Sequence, residues 1–306
     1  MTHERTKIPA NQGWQVWWKL LRPHTLTAAF VPVATGTALA LPTAQVRPAL
    51  FLVMLLSSLL IQAATNMFNE YYDYVKGLDT EESVGIGGTI VRDGVAASTV
   101  LRIALSFYAL AALGGVYICA NSSWWVAVVG LFCMAVGYLY TGGPFPIAYT
   151  PFGELLSGIL MGLIIIQITF FIQTGNITYA SILISIPISV LIGNIMLANN
   201  IRDLEGDKVK GRHTLPILLG KERAVTLLGT MFIFCFIWLF ALVILKIITA
   251  WSLLALAGLP KAQKAVKSFL SAESILDMMS AMQATAQTNT VYGLSLALGL
   301  VIGYFW

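Results

Sequence analysis

Asn199-Asn200-Ile201-Arg202-Asp203-Leu204-Glu205-Gly206-Asp207 closes a stretch, 155–201, that contains no Lys, Arg, Asp or Glu. A second polar ending, Asn69-Glu70-Tyr71-Tyr72-Asp73 with Asp79 just beyond it, closes another apolar run. Residues spaced by four project from one face of a helix, so Asn199, Asp203 and Asp207 share a face, as do Asn69 and Asp73. On the earlier helix Asn66, Asn69, Glu70 and Asp73 form one stripe, and Asn200, Asp203 and Asp207 repeat its spacing on the later one.

Working outward, the composition sets the class. Hydrophobic residues make up 58% and charged residues 10%, with a mean hydropathy of +0.80; soluble domains are roughly one-quarter charged. This is the composition of an integral membrane protein. The charge-free run 103–153 and the run 155–201 each fit about two spans of roughly 20 residues. The expected architecture is an all-α membrane protein of about nine transmembrane helices around a central cavity with a cytoplasmic cap. Spans are expected near 26–42, 49–75, 99–119, 123–141, 152–174, 178–201, 222–246, 248–260 and 286–306. The eighth is short for a crossing, and 261–285, with Lys261, Lys264 and Lys267, reads as an amphipathic interfacial helix. Residues 1–25 form a separate cytoplasmic or interfacial segment, and 26–306 a single domain.

Basic residues orient the bundle. Arg5, Lys7, Lys19 and Arg22 precede span one; Lys76, Arg92 and Arg102 follow span two; Arg202, Lys208, Lys210, Arg212, Lys221 and Arg223 follow span six. With nine spans and the N-terminus inside, all of these and the lysines of 261–267 are cytoplasmic, leaving Arg47 and Lys246 opposite. Residues 1–25 lack the apolar core of a signal peptide, and Trp14, Trp17 and Trp18 suit an interfacial helix. Cys119, Cys133 and Cys235 have neither metal spacing nor a pairing pattern and are expected to pack.

Nine of the fourteen acidic residues fall within 70–93 and 203–207. Like charges gathered at an apolar edge raise one another's pKa, and a hard divalent cation with oxygen ligands relieves that. The expected ion is Mg²⁺ carrying a diphosphate, with Asn69, Asp73, Asp79, Asp203 and Asp207 as ligands. Arg22, Lys76, Arg92, Arg202, Lys208 and Arg212 supply the guanidinium and ammonium groups that hold phosphate. Gly85-Ile86-Gly87-Gly88 lets backbone amides approach a phosphate. The shared tetrads Asn69–Asp73 and Asn199–Asp203, 130 positions apart, suggest two faces of an internal repeat across a cavity.

These motifs resemble the two aspartate-rich motifs of the UbiA superfamily of intramembrane prenyltransferases, in order and spacing over nearly the whole chain. Arg22-Pro23, Tyr71-Tyr72-Asp73-Tyr74-Val75-Lys76-Gly77-Leu78-Asp79-Thr80 and Gly85-Ile86-Gly87-Gly88-Thr89-Ile90-Val91-Arg92 are similar to its naphthoate branch, of the menaquinone pathway. Two departures stand out: Glu70 where many members have Asp, and Asp79 six residues after Asp73 where many have a spacing of four. The resemblance implies a cavity open to lipid, with Mg²⁺ and diphosphate held under the cap. The implied partners are polyprenyl diphosphate, 1,4-dihydroxy-2-naphthoate and membrane lipid, with no nucleic acid, in the cell membrane; oligomeric state is not legible. Asn69, Asp73, Asp203 and Asp207 would stabilise the departing diphosphate. Tyr72, Tyr138, Tyr140 and Tyr149 would face the allylic cation, Tyr72 and Tyr140 foremost. Arg22, His24 or Arg92 would hold the aromatic acceptor, with no ground for choosing among them, and His213 is expected to be solvated.

Glu154, the single ionisable group within 103–201, is a functional candidate by its depth and equally suits a helix N-terminus. Gln167 would line the cavity or bond a neighbouring helix. A sibling prenyltransferase for another aromatic acceptor would share these motifs. A secondary transporter would instead place its ionisable groups near the midplane, away from the helix ends where they cluster here.

Overall fold

The computed structural model describes residues 12–79 and 88–306, and every described element is helical. A short α1 (Trp14–Leu21) leads into α2 (Thr27–Ala40), then the long α3 (Pro48–Val75), α4 (Ala97–Asn121) and α5 (Trp125–Leu139). α6 (Gly153–Ser157), a π-helical stretch (Gly158–Ile164) and α7 (Ile165–Thr174) form one continuous rod. After it come α8 (Tyr179–Val209), the one-turn α9 (Leu215–Leu219), α10 (Lys221–Ile244), a 3₁₀ stretch (Ala250–Gly258), α11 (Leu259–Ser271) and α12 (Ile275–Phe305). Six helical segments are long and apolar enough to cross a membrane, and α2 and α5 are shorter apolar helices.

One expectation needs correction. Residues 259–271 do not lie along an interface: the 3₁₀ stretch and α11 run antiparallel to α12, with Gly299 against Trp251 and Ser252 and Gly258 against Tyr292. The Lys221 ammonium donates to the Ala272 carbonyl at 3.1 Å, which levels the end of α11 with the start of α10. Together the two pieces extend roughly 37 Å, enough for a crossing of about 30 Å. A 3₁₀ turn rises further per residue, so a segment that looked short has the length of a crossing. The interfacial signal in 261–285 came from lysines on the outer face of α11, where Lys264 and Lys267 are exposed.

The packing satisfies backbone groups that hydrocarbon cannot. Pro187 inside α8 cannot donate to the Leu183 carbonyl, and the Trp238 indole of α10 donates to it instead, at 2.9 Å. Asn289 of α12 donates to Thr27 Oγ1 of α2 at 2.9 Å, joining the first and last apolar helices. The π-helical stretch packs Gly158 and Gly162 directly against Ser189 of α8. Such small residues four apart let helix backbones approach closely, and that approach seats Glu154 beside α8. Gln167 accepts from Ser181 Oγ at 2.7 Å, so it bonds the neighbouring helix and does not line the cavity.

Candidate active site

α3 and α8 carry the two acidic motifs and end in the same way. Each closes in a Schellman turn on a glycine with positive φ, Gly77 (68°) and Gly211 (74°). Leu78 N–H donates to Asp73 O at 2.7 Å and Arg212 N–H to Asp207 O at 3.0 Å; Gly77 N–H donates to Tyr74 O at 3.0 Å and Gly211 N–H to Lys208 O at 3.2 Å. The sequence shows why: Asp73-Tyr74-Val75-Lys76-Gly77 and Asp207-Lys208-Val209-Lys210-Gly211 are one pattern. Of the two registers the sequence offers, this selects the one in which Asn200, Asp203 and Asp207 repeat Asn66, Asn69 and Asp73. Asp73 matches Asp207, Asn69 matches Asp203 and Asn66 matches Asn200, where the shared tetrad had paired Asp73 with Asp203. The Asp-x-Val-Lys-Gly pattern in the sequence carries the same register as that stripe.

The turns interlock. The Arg212 guanidinium donates to Asp73 Oδ1 at 2.7 Å and to Asp207 Oδ1 at 3.1 Å, bridging the motifs, while Lys210 donates to the Leu78 carbonyl. Cations suit this place because helix C-termini carry partial negative charge. Gly77 also explains the long spacing to Asp79, whose N–H donates to Asp73 O at 3.2 Å, so six residues of chain return it beside Asp73. Burial, then Asp73 and Glu70, push the Asp79 carboxyl up to about 6.

Glu70 has a different role. Only 2% exposed, it accepts from Arg22 Nη2 at 3.2 Å and from the backbone N–H groups of Gly88 and Ile90 at 2.6 and 3.4 Å. Arg22 itself sits in the left-handed region (φ 51°) at the end of α1, and the Arg92 side chain lies against Gly88. Glu70 thus ties α1 and the 88–90 loop to α3. Gly85, Ile86 and Gly87, the rest of the glycine-rich motif, lie outside the described residues, as do Arg5, Lys7 and Thr80.

One cavity of about 510 Å³ runs from this end into the bundle. Arg22, His24, Asn66, Asn69, Asp73, Tyr140, Asn199, Asn200, Arg202, Asp203 and Arg212 line its polar end. Ile61, Met54, Ile118, Val126, Leu131 and Ile168 line the rest. Along α3 the lining extends from Asp73 to Met54, roughly 28 Å. Arg202 donates from Nε to Asp203 Oδ1 at 2.7 Å and from Nη1 to the Met282 sulfur at 3.2 Å. Thr141 Oγ1 donates to Asn69 Oδ1 at 2.8 Å.

Several predicted groups lie apart. Lys76 and Lys208 are exposed, and neither they nor Arg92 are on the cavity wall; Lys76 donates to the Thr141 carbonyl, and the Schellman turn aims Arg212 inward in place of Lys208. Asp79 and Asp207 sit behind the wall against Asp73 and Arg212. Tyr72 is bonded hydroxyl to hydroxyl with Tyr138, and Tyr149 faces Lys76 and Arg212 at 5.6 and 5.2 Å. Of the four tyrosines, Tyr140 alone lines the cavity. His24 does too, held neutral with its pKa lowered to about 4 by burial, then by Arg22 and Arg202.

Residues 29–271 match the UbiA prenyltransferase family, and the chain belongs to it: a multi-pass helical membrane protein of the prenyltransferase class. It is 57% identical over 291 residues, 95% of this chain and 94% of the other, to a 1,4-dihydroxy-2-naphthoate octaprenyltransferase of Bacillus subtilis (strain 168). A protein of the same name from Mycobacterium tuberculosis (strain ATCC 25618 / H37Rv) is 28% identical over 94% of this chain and 97% of its own. The fold matches that of a UbiA homolog from Aeropyrum pernix K1 with a TM-score of 0.66 at 15% identity, over 92% of this chain and 98% of that one. It also matches a UbiA homolog from Archaeoglobus fulgidus bound to GPP and Mg²⁺, with a TM-score of 0.61 at 17% identity, over 92% and 99% of the two chains.

Proposed function

We propose that this chain transfers a polyprenyl group from a polyprenyl diphosphate to 1,4-dihydroxy-2-naphthoate, with release of CO₂, giving demethylmenaquinol. The observation that carries this is the single cavity joining both acidic motifs and their cations to a long apolar shaft, which suits a charged head on an apolar tail. The similarity over almost the full chain to a relative named for that acceptor supports the choice of acceptor.

The donor set fits Mg²⁺. Asn69, Asp73 and Asp203 line the cavity, Asp207 Oδ2 is buried without a partner, and Asp79 returns beside Asp73. Mg²⁺ takes one or two carboxylates and completes its shell with water and phosphate; among the described residues no three acidic, histidine or cysteine side chains are grouped to hold a metal by themselves. When bound, Mg²⁺ would supply charge neutralisation to the leaving diphosphate. Arg212 and Arg202, with Arg22 across the cavity, hold the phosphate oxygens.

The allylic C–O bond breaks with its electron pair leaving on diphosphate. The apolar wall keeps water from the cation, and the face of Tyr140 stabilises it. The ring's electron pair forms the new C–C bond at the carboxyl-bearing carbon, and CO₂ departs, returning its bonding pair to the ring. On this reading the motifs and the N-terminus are cytoplasmic, which the basic residues at these helix ends support. A vesicle assay with purified protein, Mg²⁺, a polyprenyl diphosphate and a panel of aromatic acceptors tests this. Prenylated naphthol with stoichiometric CO₂ is the expected result, and prenylation of another acceptor alone would overturn it.

A further inference from the structure

The internal repeat matches Gln62 with Met196 and Asn66 with Asn200, each asparagine one helical turn deeper than Asn69 and Asp203, and each is held through its Nδ2, though by different partners. Asn66 Nδ2 donates to the Leu21 carbonyl and to Thr25 Oγ1, both at 2.9 Å, and its Oδ1 accepts from Gln62 Nε2 at 3.3 Å. Asn200 Nδ2 donates to Glu154 Oε1 at 2.8 Å. The residue that would serve its oxygen is a methionine, which has no donor. The Met196 sulfur instead accepts from the Tyr140 hydroxyl at 3.1 Å.

Asn200 lines the cavity, and its Oδ1 has no bond from any described residue. Glu154 is 8% exposed, and its second oxygen is buried without a partner. The Nδ2 end faces Glu154, and an ionised carboxylate, which accepts and cannot donate, keeps it there. The oxygen is therefore turned to the cavity. This acceptor stands roughly 4.5 Å along α8 from Asp203, a turn beneath the diphosphate, where a ring attacking the allylic carbon must lie.

We infer that Glu154 is a positioning residue that orients the Asn200 carboxamide so that its Oδ1 accepts a hydrogen bond from a hydroxyl of the aromatic acceptor. This deepens the proposed function and rests on it. As the ring gives up its electron pair, its hydroxyl becomes a stronger donor, so the bond tightens in the transition state as well as choosing the substrate. A site built to bond a hydroxyl also rejects rings that lack one, because its oxygen is then left unpaired.

The test compares Asn200→Ala, Glu154→Ala and Glu154→Gln with the wild type in vesicles. It measures KM for dihydroxynaphthoate and for prenyl diphosphate separately, and equilibrium binding of dihydroxynaphthoate by quenching of protein fluorescence without donor or Mg²⁺. The expected result is a Kd and KM for dihydroxynaphthoate at least tenfold higher in both alanine variants, with the diphosphate KM within twofold. Glu154→Gln, whose side-chain oxygen still accepts from Asn200, recovers most of the affinity. The hydroxyl-methylated analogue binds the wild type no better than dihydroxynaphthoate binds Asn200→Ala. Unchanged acceptor affinity in the alanine variants overturns the inference, as does an equal rise in both KM values. A wild type that binds and prenylates a different phenol, ignoring dihydroxynaphthoate, overturns the acceptor assigned above; the same variants on that phenol then decide this inference by the same criteria.

Discussion

The ends of α3 and α8 are built on one pattern and differ at the residue after the glycine. Past Gly77 the chain carries Leu78, buried, and then Asp79; past Gly211 it carries Arg212. The same backbone turn therefore returns an acid to the first motif and a cation to the second. Because the motifs face each other, the cation of one reaches the acid of the other, and Arg212 spans Asp73 and Asp207. The two halves complement each other as a lock and its bolt do, which identical halves, repelling at every position, could not. A second difference concerns the middle acid. Glu70 is bonded to Arg22 and the 88–90 loop, whereas its match, Leu204, is buried and apolar, so the first motif holds the cap and the second does not.

The largest effect that would break this comparison is loss of a cavity-facing acid. Asp73→Ala and Asp203→Ala should each lower transfer by about a thousandfold while the protein still elutes as a folded membrane protein; near-normal turnover in either would remove the metal assignment. Excess chelator should abolish transfer as fully, reversibly on adding Mg²⁺, and full rates in chelator would do the same damage. Arg212→Ala should cut kcat about a hundredfold and, without Mg²⁺, destabilise the fold by roughly 3 kcal/mol, since two partly buried carboxylates lose their partner. Added Mg²⁺ should restore most of that stability in a thermal melt; a melt unmoved by the substitution would show that the bridge does not hold the motifs together.

Glu70→Gln should lower the melting temperature by several degrees and transfer by less than tenfold, because it loosens the cap and leaves the cavity acids in place. A lost Mg²⁺ response with an unchanged melt would instead put Glu70 among the ligands. The smallest effect concerns Asp79. Its carboxyl titrates at about 6 in the metal-free chain, so a proton competes with the ion below that pH. The Mg²⁺ needed for half-maximal rate should rise by up to tenfold per unit from pH 6 to 5, and Asp79→Asn should flatten that slope.

Much of the site was legible in the chain because helical spacing is a local property. Four-residue repeats of acids at the ends of charge-free runs placed Asn69, Asp73 and Asp203 at a cavity mouth, and the basic loops brought Arg22, Arg202 and Arg212 with them. Lys208 was misplaced because a one-dimensional string does not show which side of a helix end a turn will bring forward. The role of Glu70 was hidden because its partners are 48, 18 and 20 positions away. The length of the broken helix 250–271 was missed because a residue count assumes an α-helical rise.

The amino-acid sequence by itself determined a helical membrane protein, the two acidic helices, the Schellman turns that end them and the charge that gathers there, since these follow from composition and from contacts within a few residues. The tertiary structure alone decided that Arg212 bridges the motifs, that Glu70 supports the cap, that Tyr140 faces the cavity while Tyr72 does not, and that Glu154 holds Asn200. Each of these depends on which helix packs beside which, and that is settled by close approach, as at Gly158 and Gly162 on Ser189, between segments far apart in the chain.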